Sequence, residues 1–343
     1  MMRKLTTIAL TLIMIFSLTS CASLSGTHEA VTTPSQVVSD PEVEASTTED
    51  NTASTVSGTV ESNTDGDVET YVLTGTLTET FVVDTDKDVE ITLNNVTANL
   101  ADNVIKIKDA KSVTLILVGD NNLTSTLEDT KTIKSDVDLT IEGTGTLTIT
   151  SADTCIKSDT NLTVNSGTLN LTANNGGDGL RSDETLTING GTISIEAGEG
   201  LESTQITLNG GTISISASDD GINASQKSET LSPVITINGG NINIVMASGD
   251  TDAIDSNGSL VITGGTINIS AQFAFDYETT VSFTGGTVYV NGEEVTQITN
   301  SMFGGGMMGG WGGPQPGQGN WGGQQPGGEN GGKQPGQGGW GHP

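Results

Sequence analysis

The sequence predicts an all-β protein, a right-handed parallel β-helix solenoid with disordered N- and C-terminal tails. The first observation is a motif of two glycines followed by alternating apolar and polar residues, which begins at Gly190, Gly210, Gly239, Gly264 and Gly285. The second is its period, because the second glycines of these copies lie 20 to 29 residues apart. The third is the strand-like alternation itself. Together these features are typical of a solenoid.

Each repeat is predicted to contain three short strands. One follows the glycines, and a second precedes them, as in Leu186–Ile188 and Ile206–Leu208. A third strand comes earlier and is centred on an apolar residue, at Ile107, Ile133, Ile156, Leu180, Leu201, Ile222, Ile254 and Phe275. Because a repeat of short strands cannot bury its own apolar face, we expect stacked turns that share one core, over residues 68–300.

The N-terminus is predicted to be a targeting signal. Arg3 and Lys4 precede an apolar run that ends in Leu18-Thr-Ser-Cys21 and is too short for a comfortable membrane span. This pattern resembles the bacterial lipoprotein signal, which implies removal of residues 1–20 and lipidation of Cys21. A secretory signal that merely contains a cysteine is the alternative. We therefore expect a lipid-anchored protein on the extracellular face of the cell membrane.

The two flanking segments are predicted to be disordered. Residues 21–67 are rich in Ser, Thr and acidic residues and form a linker, because such a composition cannot offset the entropy of ordering. Residues 301–343 are rich in Gly, Pro and Gln and carry all three tryptophans. This tail either has no fixed role or uses its tryptophans to contact glycans or cell wall.

Charge and composition exclude several functions. The formal net charge of −30 excludes nucleic-acid binding through bulk electrostatics. The only histidines, His28 and His342, lie in the tails, which weighs against His-dependent hydrolysis. Cys155 is expected to be a buried filler rather than a nucleophile.

Basic residues are concentrated at one outward position of the third strand. On successive repeats this position holds Lys108, Lys134, Lys157 and Arg181. They predict a stripe that binds acidic sugars. The alternative is a salt-bridge ladder, in which the same cations pair with Asp136, Asp159 and Asp183 on neighbouring turns.

Acidic residues take over in the later repeats. Because neighbouring turns lie about 4.8 Å apart, a calcium ion with oxygen ligands at about 2.4 Å fits between stacked carboxylates. The alternative is a set of acidic turns that simply favour solvent. Soft metals are excluded, because no His or Cys cluster exists. The predicted calcium ligands are Asp178, Glu199, Glu202, Asp219, Asp220, Asn223, Asp250, Asp252, Asp255 and Asp276.

These motifs carry a family resemblance. The lipoprotein-type signal, the glycine-led repeats, Asp-Asp-Gly-Ile-Asn-Ala-Ser at 219–225 and Asp-Ala-Ile-Asp-Ser at 252–256 resemble a bacterial cell-surface family. That family is described as a carbohydrate-binding domain with a right-handed β-helix like that of polysaccharide lyases. The resemblance implies calcium at the acidic turns and binding of cellulose- or polygalacturonate-like polysaccharide. Gly-Glu-Gly at 198–200 departs from the Asp-Asp-Gly form.

The function expected from the sequence is therefore a lipid-anchored, calcium-dependent polysaccharide-binding protein without catalytic residues. One alternative is a calcium-dependent polysaccharide lyase, in which Arg181 beside Asp178 and Asp183 would act on a uronic acid polymer. The other is a structural or adhesive rod with no glycan site.

Overall fold

The computed structural model describes residues 58–249 and 251–300, all within the compact unit Ala53–Pro343. These residues form 29 strands, numbered β1 to β29 in chain order, and no helix. The predicted all-β parallel solenoid is confirmed. No helical segment that could serve as a membrane span occurs in the described residues. Cys21, the signal and the C-terminal tail lie outside them.

One sheet, here called the site sheet, contains nine parallel strands stacked in chain order, one from each turn. They are the predicted third strands of the repeats. The strands are β3 (Phe81–Asp84), β5 (Ile105–Asp109), β8 (Ile133–Ser135), β11 (Ile156–Ser158), β14 (Asp178–Ser182), β17 (Glu199–Ser203), β20 (Ile222–Ala224), β23 (Asp252–Ser256) and β26 (Phe273–Tyr277).

The remaining strands form two parallel stacks. The first comprises β6 (Ser112–Val118), β9 (Leu139–Gly143), β12 (Asn161–Val164), β15 (Thr185–Ile188), β18 (Gln205–Leu208), β21 (Val234–Ile237), β24 (Ser259–Ile262) and β27 (Val281–Phe283). The second, which follows the glycines, comprises β7 (Asp120–Ser125), β10 (Thr146–Ser151), β13 (Thr168–Ala173), β16 (Thr192–Ala197), β19 (Thr212–Ala217), β22 (Asn241–Met246), β25 (Thr266–Ser270) and β28 (Thr287–Val290).

Long strands and hairpins complete the ends of the solenoid. β4 (Asp88–Leu100) pairs with the first strand of both stacks and so joins them. β2 (Val68–Leu77) pairs parallel with β4, and β1 (Thr59–Asp65) pairs antiparallel with β2. β29 (Glu293–Val295) pairs antiparallel with β28. Because β1 lies before residue 68, the folded domain begins within the segment that was predicted as a linker.

The core is a continuous column of aliphatic side chains. In β16, Ile193 and Ile195 are buried while Thr192 and Ser194 are exposed, as strand alternation requires. Ile195 stacks on the equivalent isoleucines of the next turns through in-register pairing. The second glycine of the motif permits the sharp turn between stacks, since Gly191 has a φ of 92°.

An asparagine ladder runs along the same turns. Asn189 Nδ2 donates to Asn165 Oδ1 at 2.9 Å, and Asn209 Nδ2 donates to Asn189 Oδ1 at 2.8 Å. Asn238 continues the series onto Asn209 at 2.9 Å. Sequence reasoning missed this ladder, although an Asn directly before the two glycines in three repeats was visible.

Cys155 is fully buried in this core, as predicted. Burial raises the pKa of its thiol far above the ordinary value, so the reactive thiolate is suppressed. Cys155 is therefore a packing residue.

Candidate metal and polysaccharide site

The basic residues form one outward column of the site sheet, with one correction. Lys134 pairs in register with Lys157, and Lys157 with Arg181, as predicted. The prediction for Lys108 was wrong, because β5 pairs with β8 so that Lys106 lies opposite Lys134. In β5, Ile105 and Ile107 alternate with Lys106 and Lys108. Two registers of β5 that differ by two residues would therefore each bury an isoleucine at the inward position. Lys108 is instead exposed.

Two lysines of this column, Lys134 and Lys157, form ion pairs with aspartates. Lys134 Nζ lies 2.7 Å from Asp136 Oδ1 and also contacts Asp159. Lys157 Nζ lies 2.9 Å from Asp159 and 3.2 Å from Asp183. Burial opposes the charge on Asp159, but hydrogen bonds from both lysines outweigh it and hold the pKa of Asp159 below its ordinary value. The column is thus a salt-bridge ladder, which was the alternative interpretation.

The ladder ends in a cluster of three carboxylates around Arg181. Asp178, Glu199 and Glu202 each place one oxygen within 4.8 Å of the others. Arg181 Nη1 lies 3.2 Å from Asp178 Oδ2 and 2.8 Å from Glu202 Oε2. Glu202 Oε2 has no well-aligned hydrogen-bond donor, so the shorter contact is an ion pair rather than a directed hydrogen bond. Arg181 is therefore the internal counter-ion of this cluster.

A second cation reaches Glu202 from an insertion between β20 and β21. Lys227 pairs with Glu202, whose side chain is only 4% exposed. The insertion is held in place by Thr204, whose Oγ1 accepts the backbone N–H of Lys227 at 2.9 Å. Sequence reasoning missed Lys227, because nothing in the sequence fixes where an insertion folds back.

Glu199 is the member of the cluster with no ion pair in the described part of the chain. Its Oε2 accepts a hydrogen bond from Asn223 Nδ2 at 3.2 Å. Burial, followed by the charges of Glu202, Asp178 and Asp220, raises the pKa of Glu199 to about 8. A cation beside Glu199 would relieve this penalty.

Beyond Glu202 the outward column is acidic. Asn223 pairs in register with Asp255, and Asp255 with Asp276. Asp220 lies just before β20 and accepts the backbone N–H of Asp252 at 3.2 Å. We call Glu199, Asp220, Asn223, Asp255 and Asp276 the acid strip. Within the described residues, 58–249 and 251–300, no lysine or arginine forms an ion pair with a carboxylate of the acid strip.

Asp220 and Asp255 of the acid strip, like Glu199, have pKa values above those of ordinary carboxylates. Burial raises the pKa of Asp255 to about 7, with further contributions from Asp220, Asp276 and Asp252. Burial also raises the pKa of Asp220 to about 6, although the Asp252 N–H lowers it. Burial is the larger cause of these pKa shifts, and the like charges of neighbouring carboxylates add to it.

Two buried oxygens in the strip have no hydrogen-bond donor. They are Asn223 Oδ1 and Asp255 Oδ1, and Asn223 is only 8% exposed. Asp276 accepts a hydrogen bond from Asn300 Nδ2 at 2.6 Å. Carboxylate and amide oxygens are the ligands that calcium prefers, so the residues fit this ion.

The other predicted ligands have different positions. Asp178 and Glu202 are paired with Arg181, Asp219 is exposed in the turn before β20, and Asp252 begins β23. Asp250 lies outside the described residues.

These features define a class of protein: a parallel β-solenoid with a charge ladder and a cation-deficient acid strip on one sheet. A family model described as carbohydrate-binding domain-containing protein matches residues 54–295. The chain belongs to this family.

The chain is similar to a solved structure of the polysaccharide lyase-like protein from C. thermocellum, determined as a gadolinium derivative. The identity is 25%, the TM-score is 0.39, and the match covers 68% of this chain and 88% of that one. No curated protein matches the chain.

Proposed function

We propose that this carbohydrate-binding domain binds acidic polysaccharide through calcium held at the acid strip. The observation that carries the proposal is the combination of stacked carboxylates without ion pairs and the two buried oxygens of Asn223 and Asp255 without donors. Such a stack is self-repelling unless protons or a cation neutralise it. When bound, calcium would neutralise the strip and supply open coordination positions to a sugar carboxylate.

The charge ladder supports this mode over direct binding to lysines. Each of Lys134 and Lys157 already contacts two aspartates. A polyanion that bound these two lysines would have to compete with their aspartate partners. The aspartates belong to the same sheet and so stay close to the lysines. Direct binding of a polyanion to the lysines therefore gains little free energy. A cation at the acid strip, in contrast, adds positive charge beside carboxylates that have no cationic partner.

We propose binding rather than lysis. β-Elimination needs a base near the sugar and a cation that neutralises its carboxylate. Arg181, the candidate for the lyase alternative, is engaged by Asp178 and Glu202. The alternative of a structural or adhesive rod does not account for the carboxylates of the acid strip, which have no cationic partner.

We also propose that Cys21 tethers the domain to the membrane as a bacterial lipoprotein. This part rests on the Leu-x-x-Cys signal alone. A tether suits a domain that holds polymer near the cell.

The proposal is tested by binding to polygalacturonate in calcium and in excess chelator, with absorbance of unsaturated product recorded in the same samples. We expect binding in calcium, loss of binding in chelator, and no absorbance increase. Binding that survives chelation would contradict calcium bridging. A steady absorbance increase would establish the lyase alternative.

A further inference from the structure

An insertion between β20 and β21, residues 225–233, forms what we call the strap. Thr204 is fully buried and holds the strap in place. Its Oγ1 accepts two successive backbone N–H groups, that of Lys227 at 2.9 Å and that of the next residue at 2.8 Å. Gln226 closes the strap on itself, because its Nε2 donates to Leu231 O at 2.8 Å. The strap therefore has a fixed position beside β17.

The strap brings two polar side chains to Glu202, where the salt-bridge ladder ends. Lys227 Nζ contacts Glu202 Oε1, and Ser225 Oγ donates to the same oxygen at 3.2 Å. The other oxygen, Oε2, lies 2.8 Å from Arg181 Nη1. Each oxygen of this nearly buried carboxylate therefore has its own cation, one from the site sheet and one from the strap.

A count of charges in the cluster of three carboxylates shows what the strap contributes. When ionised, Asp178, Glu199 and Glu202 carry three negative charges, against two positive charges on Arg181 and Lys227. One negative charge is left, so a divalent ion would overshoot neutrality. Without Lys227 two negative charges would be left, which is the charge that one calcium ion neutralises. Lys227 therefore supplies the charge that decides whether the cluster accepts calcium.

The oxygens of the cluster are otherwise suited to a metal ion. Asp178, Glu199 and Glu202 each place one oxygen within 4.8 Å of the others, which matches ligands at about 2.4 Å on opposite sides of calcium. Asn223 pairs in register with Glu202 and is only 8% exposed. Its Nδ2 donates to Glu199, while its Oδ1 has no donor. A buried amide oxygen thus lies beside the carboxylates as a further neutral ligand.

We propose that Lys227 is a tethered competitor of calcium, which fills the cation position of the cluster formed by Asp178, Glu199 and Glu202. Because the strap holds the ammonium group beside Glu202, the group competes at a high effective concentration. Glu199 belongs to both the cluster and the acid strip, so in the wild type it serves the acid strip alone. The inference rests on the proposed function only for the identity of the metal.

The test is calorimetric titration of the full chain with calcium chloride. We expect Lys227→Met to bind about one more calcium ion per chain than wild type. Lys227→Arg keeps the charge and should bind as many ions as wild type. The matched control is Lys131→Met, which removes the same charge from an ion pair with Asp153. The side chains of Lys131 and Lys227 are both 27% exposed.

Two further variants locate the added ion. Adding Glu202→Gln to Lys227→Met should abolish the extra binding, because the cluster then loses one carboxylate. Thr204→Val keeps every charge but removes the oxygen that holds the strap. It should therefore also increase calcium uptake, since the ammonium group is no longer held beside Glu202.

Each outcome decides the proposal. Unchanged calcium uptake in Lys227→Met, with the circular dichroism of wild type, would overturn it. An equal gain in Lys131→Met would overturn it in favour of bulk attraction by the acidic chain. If Lys227→Met does not fold, uptake by Thr204→Val that equals wild type would overturn the proposal. Failure of the acid-strip proposal appears instead in the wild type, as polygalacturonate binding that survives chelation.

Discussion

Arg181 Nη1 lies 2.8 Å from Glu202 Oε2, at the pair of strands where the outward column of the site sheet changes from basic to acidic and amide side chains. On one side of this contact, cations and aspartates neutralise one another turn by turn. On the other side, the carboxylates of the acid strip lie next to one another without a cationic partner. The contact therefore divides the sheet into a region that holds itself together and a region that gains from an added cation.

Removing Arg181 should destabilise the protein strongly. In Arg181→Met, Asp178 and Glu202 lose a partner while they remain buried, which costs about 3–5 kcal/mol in the free energy of unfolding. Urea denaturation in chelator measures it. Lys108→Met is the matched control, because its contact with Asp84 spans 3.8 Å between exposed side chains and should cost less than about 0.5 kcal/mol. Equal losses in the two variants would contradict the assignment of Arg181 as counter-ion.

Without calcium, Glu199 should make stability fall as the pH rises. Its pKa is about 8 in the folded protein against 4.5 for an unperturbed glutamic acid. Between these values the unfolded chain binds fewer protons, so the free energy of unfolding decreases with increasing pH. Asp220 and Asp255, with pKa values raised to about 6 and about 7, act in the same direction.

Melting temperatures from pH 4.5 to pH 8 in chelator check this prediction. Glu199→Gln should reduce the decline, while Glu196→Gln, at an exposed position of β16, should not. A decline of the same size in Glu199→Gln and wild type would show that Glu199 ionises normally.

A tightly packed glycine beside the acid strip should not tolerate a methyl group. A Cβ at Gly200 would lie 2.4 Å from Gly221 O and 2.5 Å from Ile215 Cγ2. Gly200→Ala should therefore cost about 1–3 kcal/mol through overpacking. Thermal unfolding measures it, and a melting temperature equal to wild type would contradict the close packing of these turns.

The lipid tether makes a separate prediction. Cys21→Ala should release the protein from the membrane fraction, whereas Cys155→Ala should leave it there. Fractionation of cells that express each variant measures the distribution. Retention of Cys21→Ala in the membrane would rule out lipidation at this residue.

The fold was predictable because its causes repeat. The two-glycine motif recurs with its flanking alternation, and one misread residue does not change the period. The error at Lys108 arose where β5 offers Ile105 and Ile107 as equivalent inward residues, so the local pattern allows two registers. Only the stacking of whole turns decides between them.

Most residues of the candidate site could be predicted from the sequence, but the ion pairs between them could not. Stacking places Asp220, Asn223, Asp255 and Asp276 near one another, as their positions in the repeats imply. The sequence left both roles of the basic column open, because the choice depends on where side-chain tips meet. Lys227 reaches Glu202 from an insertion, which has no counterpart in the other turns.

The most direct test of the central claim compares two double variants for polygalacturonate binding at fixed calcium. We expect Asp220→Asn, Asp255→Asn to bind at least about tenfold more weakly than wild type. Its melting temperature in chelator should be no lower than that of wild type, since repulsion is relieved. Lys134→Met, Lys157→Met should bind as wild type does. Loss of binding in the lysine variant with full binding in the aspartate variant would contradict the account.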